Sequence, residues 1–166
     1  MSSALSIKAE LLNRDGSCRD INFSEWISRS DAAGLVEFLA TRWNFVNAYD
    51  GQGKSYSMSQ ALALMAAEAG SLHMLWANDT LLPHVQLYVL WPAPSRFFCE
   101  ITFFPEELEV TRFDLQEFFA LLAALVSAAR SSEYYVRYEN VSWEHGDVGA
   151  NSGVIFSHHD RVLTQA

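Results

Sequence analysis

The sequence predicts an α+β fold: a mostly antiparallel sheet with about three helices, the longest packed on the sheet. Three observations carry this. Residues 112–130 place Leu115, Phe118, Phe119, Leu122, Leu125, Val126 and Ala129 at the i, i+3, i+4, i+7 spacing of a helix. Residues 84–91 and 96–104 instead alternate apolar and polar positions on either side of Pro92-Ala93-Pro94, the pattern of two strands joined by a turn. Ser57 and Gln60 stand at capping-box spacing ahead of the stripe Met58, Ala61, Leu62 and Met65. No repeat or low-complexity linker interrupts the chain, so 1–166 reads as a single domain.

Taken in order, residues 4–12 and 17–23 read as a hairpin joined by Arg14-Asp15-Gly16, since Asp-Gly supplies the positive φ of a tight turn. Ser30-Asp31 offers an N-cap for a helix over 31–43, with Leu35, Val36, Leu39 and Trp43 on one face. Asn47 to Ser55 reads as a loop, and the helix that Ser57 opens is expected to end at Gly70. Residues 71–77 form a strand. In 84–91, Val85, Leu87, Val89 and Trp91 share one face, opposite His84, Gln86 and Tyr88; in 96–104, Phe97, Cys99, Ile101 and Phe103 do the same. The prolines between them suit a turn and would break a continuous strand.

Thr111 and Asp114 start the long helix with capping-box spacing. With alanines on its remaining faces it reads as buried on more than one side and as the dominant core element. A strand over 133–141 sets Tyr134, Val136 and Tyr138 against Tyr135, Arg137 and Glu139. The first set is expected to pack under the helix and the second to form an exposed face with Trp143. Residues 144–153 are a loop and 153–157 a last short strand; Trp76 and Trp91 belong to the core.

Twenty acidic against eleven basic residues give a formal charge of −9. That balance disfavours direct binding of nucleic acid or of an anionic membrane, since both recruit partners through Lys and Arg. Residues 84–166 hold five arginines against eleven carboxylates, and within 100–117 Glu100, Glu106, Glu107, Glu109, Asp114 and Glu117 face only Arg112. Such a patch either keeps the protein soluble or steers a basic partner. Cys18 and Cys99 lie far apart without a CxxC, as in a reduced cytoplasmic protein. The start, MSSALSIKAELL, lacks the n- and h-regions of a signal peptide, and the apolar run Phe118 to Ala129 is shorter than a membrane span needs. The expected location is the cytoplasm.

Chemistry-bearing motifs are absent. Glu144, His145 and Asp147 lie close to His158-His159-Asp160 in the sequence, but without HExxH, Cys/His ligand spacing or an EF-hand loop they read as a solvated cluster, with no metal. No GxSxG elbow, GxGxxG or Walker loop occurs, and neither cysteine sits in the surroundings of a catalytic thiol. The reading is a protein that is not an enzyme and takes no cofactor. Binding fits better, because Tyr and Trp supply large amphipathic contact area with little side-chain entropy. Candidate contacts are Glu106, Glu107 and Glu109 in the acidic segment, and Tyr135, Arg137, Glu139, Trp143, Glu144 and Asp147 in the last third.

In that last third the stretch YYVRYENVSWEHGD, followed by SGVIFSHHD, resembles the small acidic immunity proteins of bacterial polymorphic-toxin systems. The similarity is to an α+β family paired with restriction-endonuclease-fold nuclease toxins, and Trp143, Gly146-Asp147 and the run Gly153-Val154-Ile155-Phe156 carry it. The resemblance implies a non-enzymatic inhibitor that binds a cognate toxin with a basic surface inside the producing cell. A small-molecule-binding or hydrolytic α+β domain, and a non-inhibitory secretion-system adaptor, are the alternatives.

Overall fold

The alternating strands assemble into one eight-stranded antiparallel sheet. A computed structural model describes residues 3–139 and 142–165. Its elements are α1 (Ala4–Leu12), β1 (Arg19–Asn22), α2 (Arg29–Arg42), β2 (Asn44–Tyr49), β3 (Ser55–Tyr56), α3 (Met58–Leu64), β4 (Gly70–Ala77), β5 (His84–Ala93), β6 (Arg96–Phe103), α4 (Leu115–Ala128), β7 (Tyr135–Tyr138) and β8 (Val154–Ser157). The strand order is β3-β2-β4-β5-β6-β1-β7-β8. The fold is α+β as expected, with four α-helices rather than three.

The additional helix replaces half of the expected hairpin. Residues 4–12 form α1: the Ser3 side chain accepts from the Ser6 N–H at 3.1 Å, and Ile7 and Leu11, four apart, are both buried. A cap followed by an i, i+4 pair among good helix formers outweighs the Asp-Gly signal. The turn itself is real, with Gly16 at φ 85°, but it leads from a helix into β1. Ser28 rather than Ser30 caps α2, accepting from the Asp31 N–H at 3.1 Å. The Ser57/Gln60 capping box forms as read. The helix that it opens stops at Leu64, however, and Gly70 begins β4. A Cβ at Gly70 would lie 2.5 Å from the Trp91 ring, so the glycine is there to admit a core indole.

Part of the expected Asn47–Ser55 loop is strand, since β2 continues to Tyr49 and pairs with β4 through a bulge between Phe45 and Asn47. Strand β5 also runs through Pro92 to Ala93, beyond a register shift that follows Leu90, so the proline is accommodated at an irregularity instead of ending the strand. The expected strand over 133–141 is ordered as β7 from Tyr135 to Tyr138; Asn140 and Val141 lie outside the described residues.

One face of the sheet supports the core. Leu72, Met74 and Trp76 of β4, Val85, Leu87, Val89 and Trp91 of β5, and Phe97, Cys99, Ile101 and Phe103 of β6 meet the apolar sides of all four helices there. Helix α4 begins at Leu115 and not at 112 as expected. The reason is that Asp114 does not serve as the far member of a Thr111 capping box but is itself the N-cap, accepting from the Gln116 and Glu117 N–H groups. Its Phe118 packs on Phe103 and Phe156 of the sheet, at centroid separations of 5.6 and 6.4 Å. On its flank α2 approaches so closely that a Cβ at Gly34 would meet the Ala128 carbonyl at 3.1 Å. Gln116, Ala120, Ala123 and Ser127 form its solvent stripe, so its alanines line water as well as neighbours.

This phase predicts opposite outcomes on one helix. Leu122→Ala should lower stability by about 2–5 kcal/mol, whereas Ala120→Gln on the solvent stripe should change it by no more than about 0.5 kcal/mol. Urea midpoints of the two variants check the assignment.

Candidate functional site: the open face of the sheet

With every helix on one side, the strand residues of opposite parity form an open face. One cross-strand row runs Tyr49, His73, Tyr88, Glu100, Asn22, Tyr135, and the next Asn47, Leu75, Gln86, Thr102, Asp20, Arg137. Directly opposed residues on one sheet face touch, so the rows decide which groups meet. On the β2 side they build an aromatic ladder: Tyr49 stacks on His73 at 5.2 Å, His73 on Tyr88 at 4.6 Å, and Tyr88 meets Phe98 edge-on at 6.2 Å. Partial burial holds the His73 imidazole below its ordinary pKa, which favours the neutral ring in the stack.

On the β7 side the rows bring together a charged cluster. Arg137 Nη2 lies 3.0 Å from Asp20 Oδ2 and 2.9 Å from Glu100 Oε2, and its Nε donates to Asn22 Oδ1 at 2.9 Å. Asn22 Nδ2 in turn donates to Glu100 Oε2 at 2.8 Å, and the Thr102 hydroxyl to Asp20 Oδ1 at 2.7 Å. One guanidinium thus serves two carboxylates. Burial, followed by repulsion from Glu100, raises the Asp20 pKa to about 6, against the opposing effects of the Thr102 hydrogen bond and Arg137.

The segment after β7 folds back over this cluster. Trp143 sits over Arg137, with the guanidinium 5.0 Å from the ring, and packs against Tyr135 at 5.1 Å; its indole N–H donates to the Asp147 carbonyl. His145 lies beside both rings, and its Nε2 is 3.1 Å from Glu133 Oε2. Tyr135 and Arg137 are therefore buried, at 2% and 8% exposure, in place of the exposed face that alternation predicts. The physical reason is a second covering layer: parity directs these two side chains away from the helices, but Trp143 and His145 then close over them. Tyr134 is buried as expected, next to Phe156, while Tyr138 is half-buried between the Arg19 guanidinium and Glu10.

Of the other candidate contacts, Glu139, Glu144 and Asp147 are exposed around this corner and Trp143 is half-buried. Glu106 and Glu107 lie on the 3₁₀ turn Pro105–Glu107 and Glu109 follows it, all exposed. Glu106 accepts from the Gly16 N–H, Glu107 lies 3.0 Å from His84 Nδ1, and Glu109 pairs with Arg112 at 3.1 Å. One candidate group lies beyond the end of β6 and the other beside β7, and they approach each other across the segment before β1, where Glu106 and Glu139 both act on Cys18. Three residues of the charged cluster, Asp20, Asn22 and Thr102, escape notice as site residues in the sequence, and Glu100 is read there only as part of the acidic segment 100–117. The alternation that marks Ile101 as inward places Glu100 and Thr102 outward, yet nothing in it says that β1 lies between β6 and β7.

The segment 158–160 is a 3₁₀ turn after β8, and the His158 and His159 rings lie against each other with centroids 3.9 Å apart. Among the described residues no three His, Cys, Asp or Glu side chains converge as a metal site would require, and no helix is long and apolar enough to cross a membrane. Burial raises the Cys99 thiol to about 12. Burial and the neighbouring Glu139 do the same for Cys18, so neither offers a thiolate near neutral pH.

No protein-family model and no curated protein matches this chain. The architecture is similar to that of a chain in the 1.75 Å crystal structure of the toxic C-terminal tip of CdiA from Pseudomonas aeruginosa in complex with immune protein. The TM-score is 0.56 at 11% sequence identity, over 85% of this chain and 94% of that one. The likeness is one of fold. It leaves the residues of the open face to be argued from their own geometry.

The raised Asp20 pKa gives a measurable signature. As pH rises from about 4 the unfolded chain releases this proton first, while the folded protein holds it until about 6, so folding stability falls across that window. The shift corresponds to at most about 3 kcal/mol. Asp20→Asn should flatten the dependence of unfolding free energy on pH between about 4 and 6 relative to the parent chain, and denaturation at a series of pH values checks it.

Proposed function

We propose that this protein is an immunity protein that binds and neutralises a cognate bacterial toxin, a nuclease, by stoichiometric protein–protein contact in the cytoplasm of the producing cell. The fold likeness to a chain of a toxin–immune protein complex carries the reading. Between the two components of such a complex, net charge favours the inhibitor: at −9 the chain is suited to shield a phosphate-binding cleft and ill suited to bind phosphates itself. An inhibitor of this kind needs no reactive group, only a rigid surface of complementary charge, and a packed sheet with an uncovered face supplies one.

On this reading the exposed carboxylates Glu106, Glu107, Glu109, Glu139, Glu144 and Asp147 steer the toxin, and Trp143 is an aromatic anchor. Tyr135 and Arg137 act from beneath, holding the Trp143 ring in place. The role requires neither catalysis nor cofactor. Complementary charge speeds association up to about 10⁸–10⁹ M⁻¹s⁻¹ at low salt, which suits capture of a lethal enzyme.

Co-expression with the toxin encoded beside this gene tests the reading. Growth should be restored and the two proteins should co-purify at a fixed stoichiometry; continued killing with no co-purification overturns it. A second prediction concerns kinetics. Replacing Glu106, Glu107 and Glu109 together by Gln should slow association roughly 3–10-fold at low ionic strength and much less at high salt, with little change in dissociation, as stopped-flow measurements would show.

A further inference from the structure

The open face is not flat. Where β5 and β6 pass the loop after β1, a recess of about 290 Å³ opens between Trp26, Phe98 and Trp143, with Leu90 on its floor and the carboxylates of Glu25 and Glu100 at its wall. Its walls combine aromatic and acidic groups. Asn22 and Arg137 both donate to Glu100 Oε2, and among the described residues Oε1 accepts none. Two basic side chains also line it: Arg137, whose Nη2 already spans Asp20 and Glu100, and His145, whose Nε2 is engaged by Glu133. Glu25 adds an exposed carboxylate to the lining, and among the described residues no ion pair engages it. Both indoles already stack with cations of this chain, Arg96 over Trp26 at 4.1 Å and Arg137 over Trp143 at 5.0 Å. Arg96 is exposed and can swing aside.

We infer that this recess receives an arginine side chain projecting from the partner protein, and so acts as the anchor point of the open face. The inference rests on the toxin-binding reading and deepens it. An arginine matches each part of the recess. Its aliphatic stem can lie on Leu90 and Phe98, its planar guanidinium can stack on an indole, and its N–H groups can bond Glu100 and Glu25. A neutral or apolar side chain would give Glu25 and the remaining oxygen of Glu100 no new charged partner, and an acidic one would add repulsion. Arginine is also a side chain that recurs as a buried anchor in interfaces, ringed by contacts that exclude water. The ladder of Tyr49, His73 and Tyr88 continues the face beyond Phe98 and extends the surface against which a partner backbone can lie.

The test uses the full chain labelled for indole N–H resonances, titrated with N-acetyl-arginine amide and with its neutral isostere N-acetyl-citrulline amide. Saturable shifts of the Trp26 and Trp143 signals by the arginine compound are expected in the millimolar range, with Trp76 and Trp91 unmoved in the core. The citrulline compound should bind at least several-fold more weakly. Glu25→Gln, at an exposed position, should weaken the arginine compound about threefold to tenfold while leaving the fold intact. Equal shifts from both compounds, no shift at tens of millimolar, or an unchanged titration in Glu25→Gln each overturns the inference. The outcome is separable from that of co-expression. If the probe fails while co-expression still protects, toxin neutralisation stands on another surface; if the probe binds and protection fails, the recess serves a different basic partner.

Discussion

Strand β1 joins the two parts of the sheet. It has only four residues, yet it pairs with β6 on one side and with β7 on the other, so the β7–β8 pair is attached to the rest of the sheet through it. All four side chains are buried, and three of the four are polar or charged. Arg19 points into the helix-bearing side and Asp20 to the open side. Arg19 is fully buried and donates to the Glu10 and Asn13 carbonyls at the C-terminal end of α1, with Tyr138 stacked on it at 3.9 Å. A cation at the negative end of a helix dipole, with its donors used, is a tolerable buried charge. The same strand therefore docks α1 on one face and brings Asp20 to Arg137 on the other.

Much of what distinguishes the open face follows from that insertion. Arg137 is the bond between β7 and two carboxylates of neighbouring strands, and Trp143 and His145 close over it because the guanidinium and Tyr135 offer them a surface. The recess beside it takes its acidity from Glu100 on β6 and from Glu25, three residues beyond the end of β1. A buried network of one guanidinium and two carboxylates contributes little net stability, since desolvation offsets most of the attraction. It does set which strands can lie side by side, because any other register would leave a charge buried alone.

Among the described residues, one side of this wide sheet has no helical cover, and that is itself informative. Antiparallel sheets tolerate one solvated face, and such a face reads as polar alternation. Here it carries stacked aromatic rings and partly exposed Leu90 alongside carboxylates, a mixture that suits recognition better than solubility alone. Such a surface combines apolar area, which favours affinity, with carboxylates, which steer a basic partner.

Local patterning determined a good part of the molecule. The alternation in β5 and β6, the capping box before α3 and the apolar stripe of α4 are properties of consecutive residues, and each formed where its period required. Signals that compete locally were resolved by packing. Residues 4–12 became helix because Ile7 and Leu11 found the core, and Gly70 became the start of a strand because Trp91 needed its space. The charged cluster was beyond local reading altogether. Asp20, Glu100 and Arg137 are 80 and 37 residues apart along the chain, and only the order of the strands makes them neighbours. A sequence fixes the period of each segment through its own side chains, whereas which segments lie side by side depends on the whole core. For that reason composition made the protein an acidic binder on paper, but the tertiary structure alone buried Tyr135 and Arg137 and opened the recess beside them.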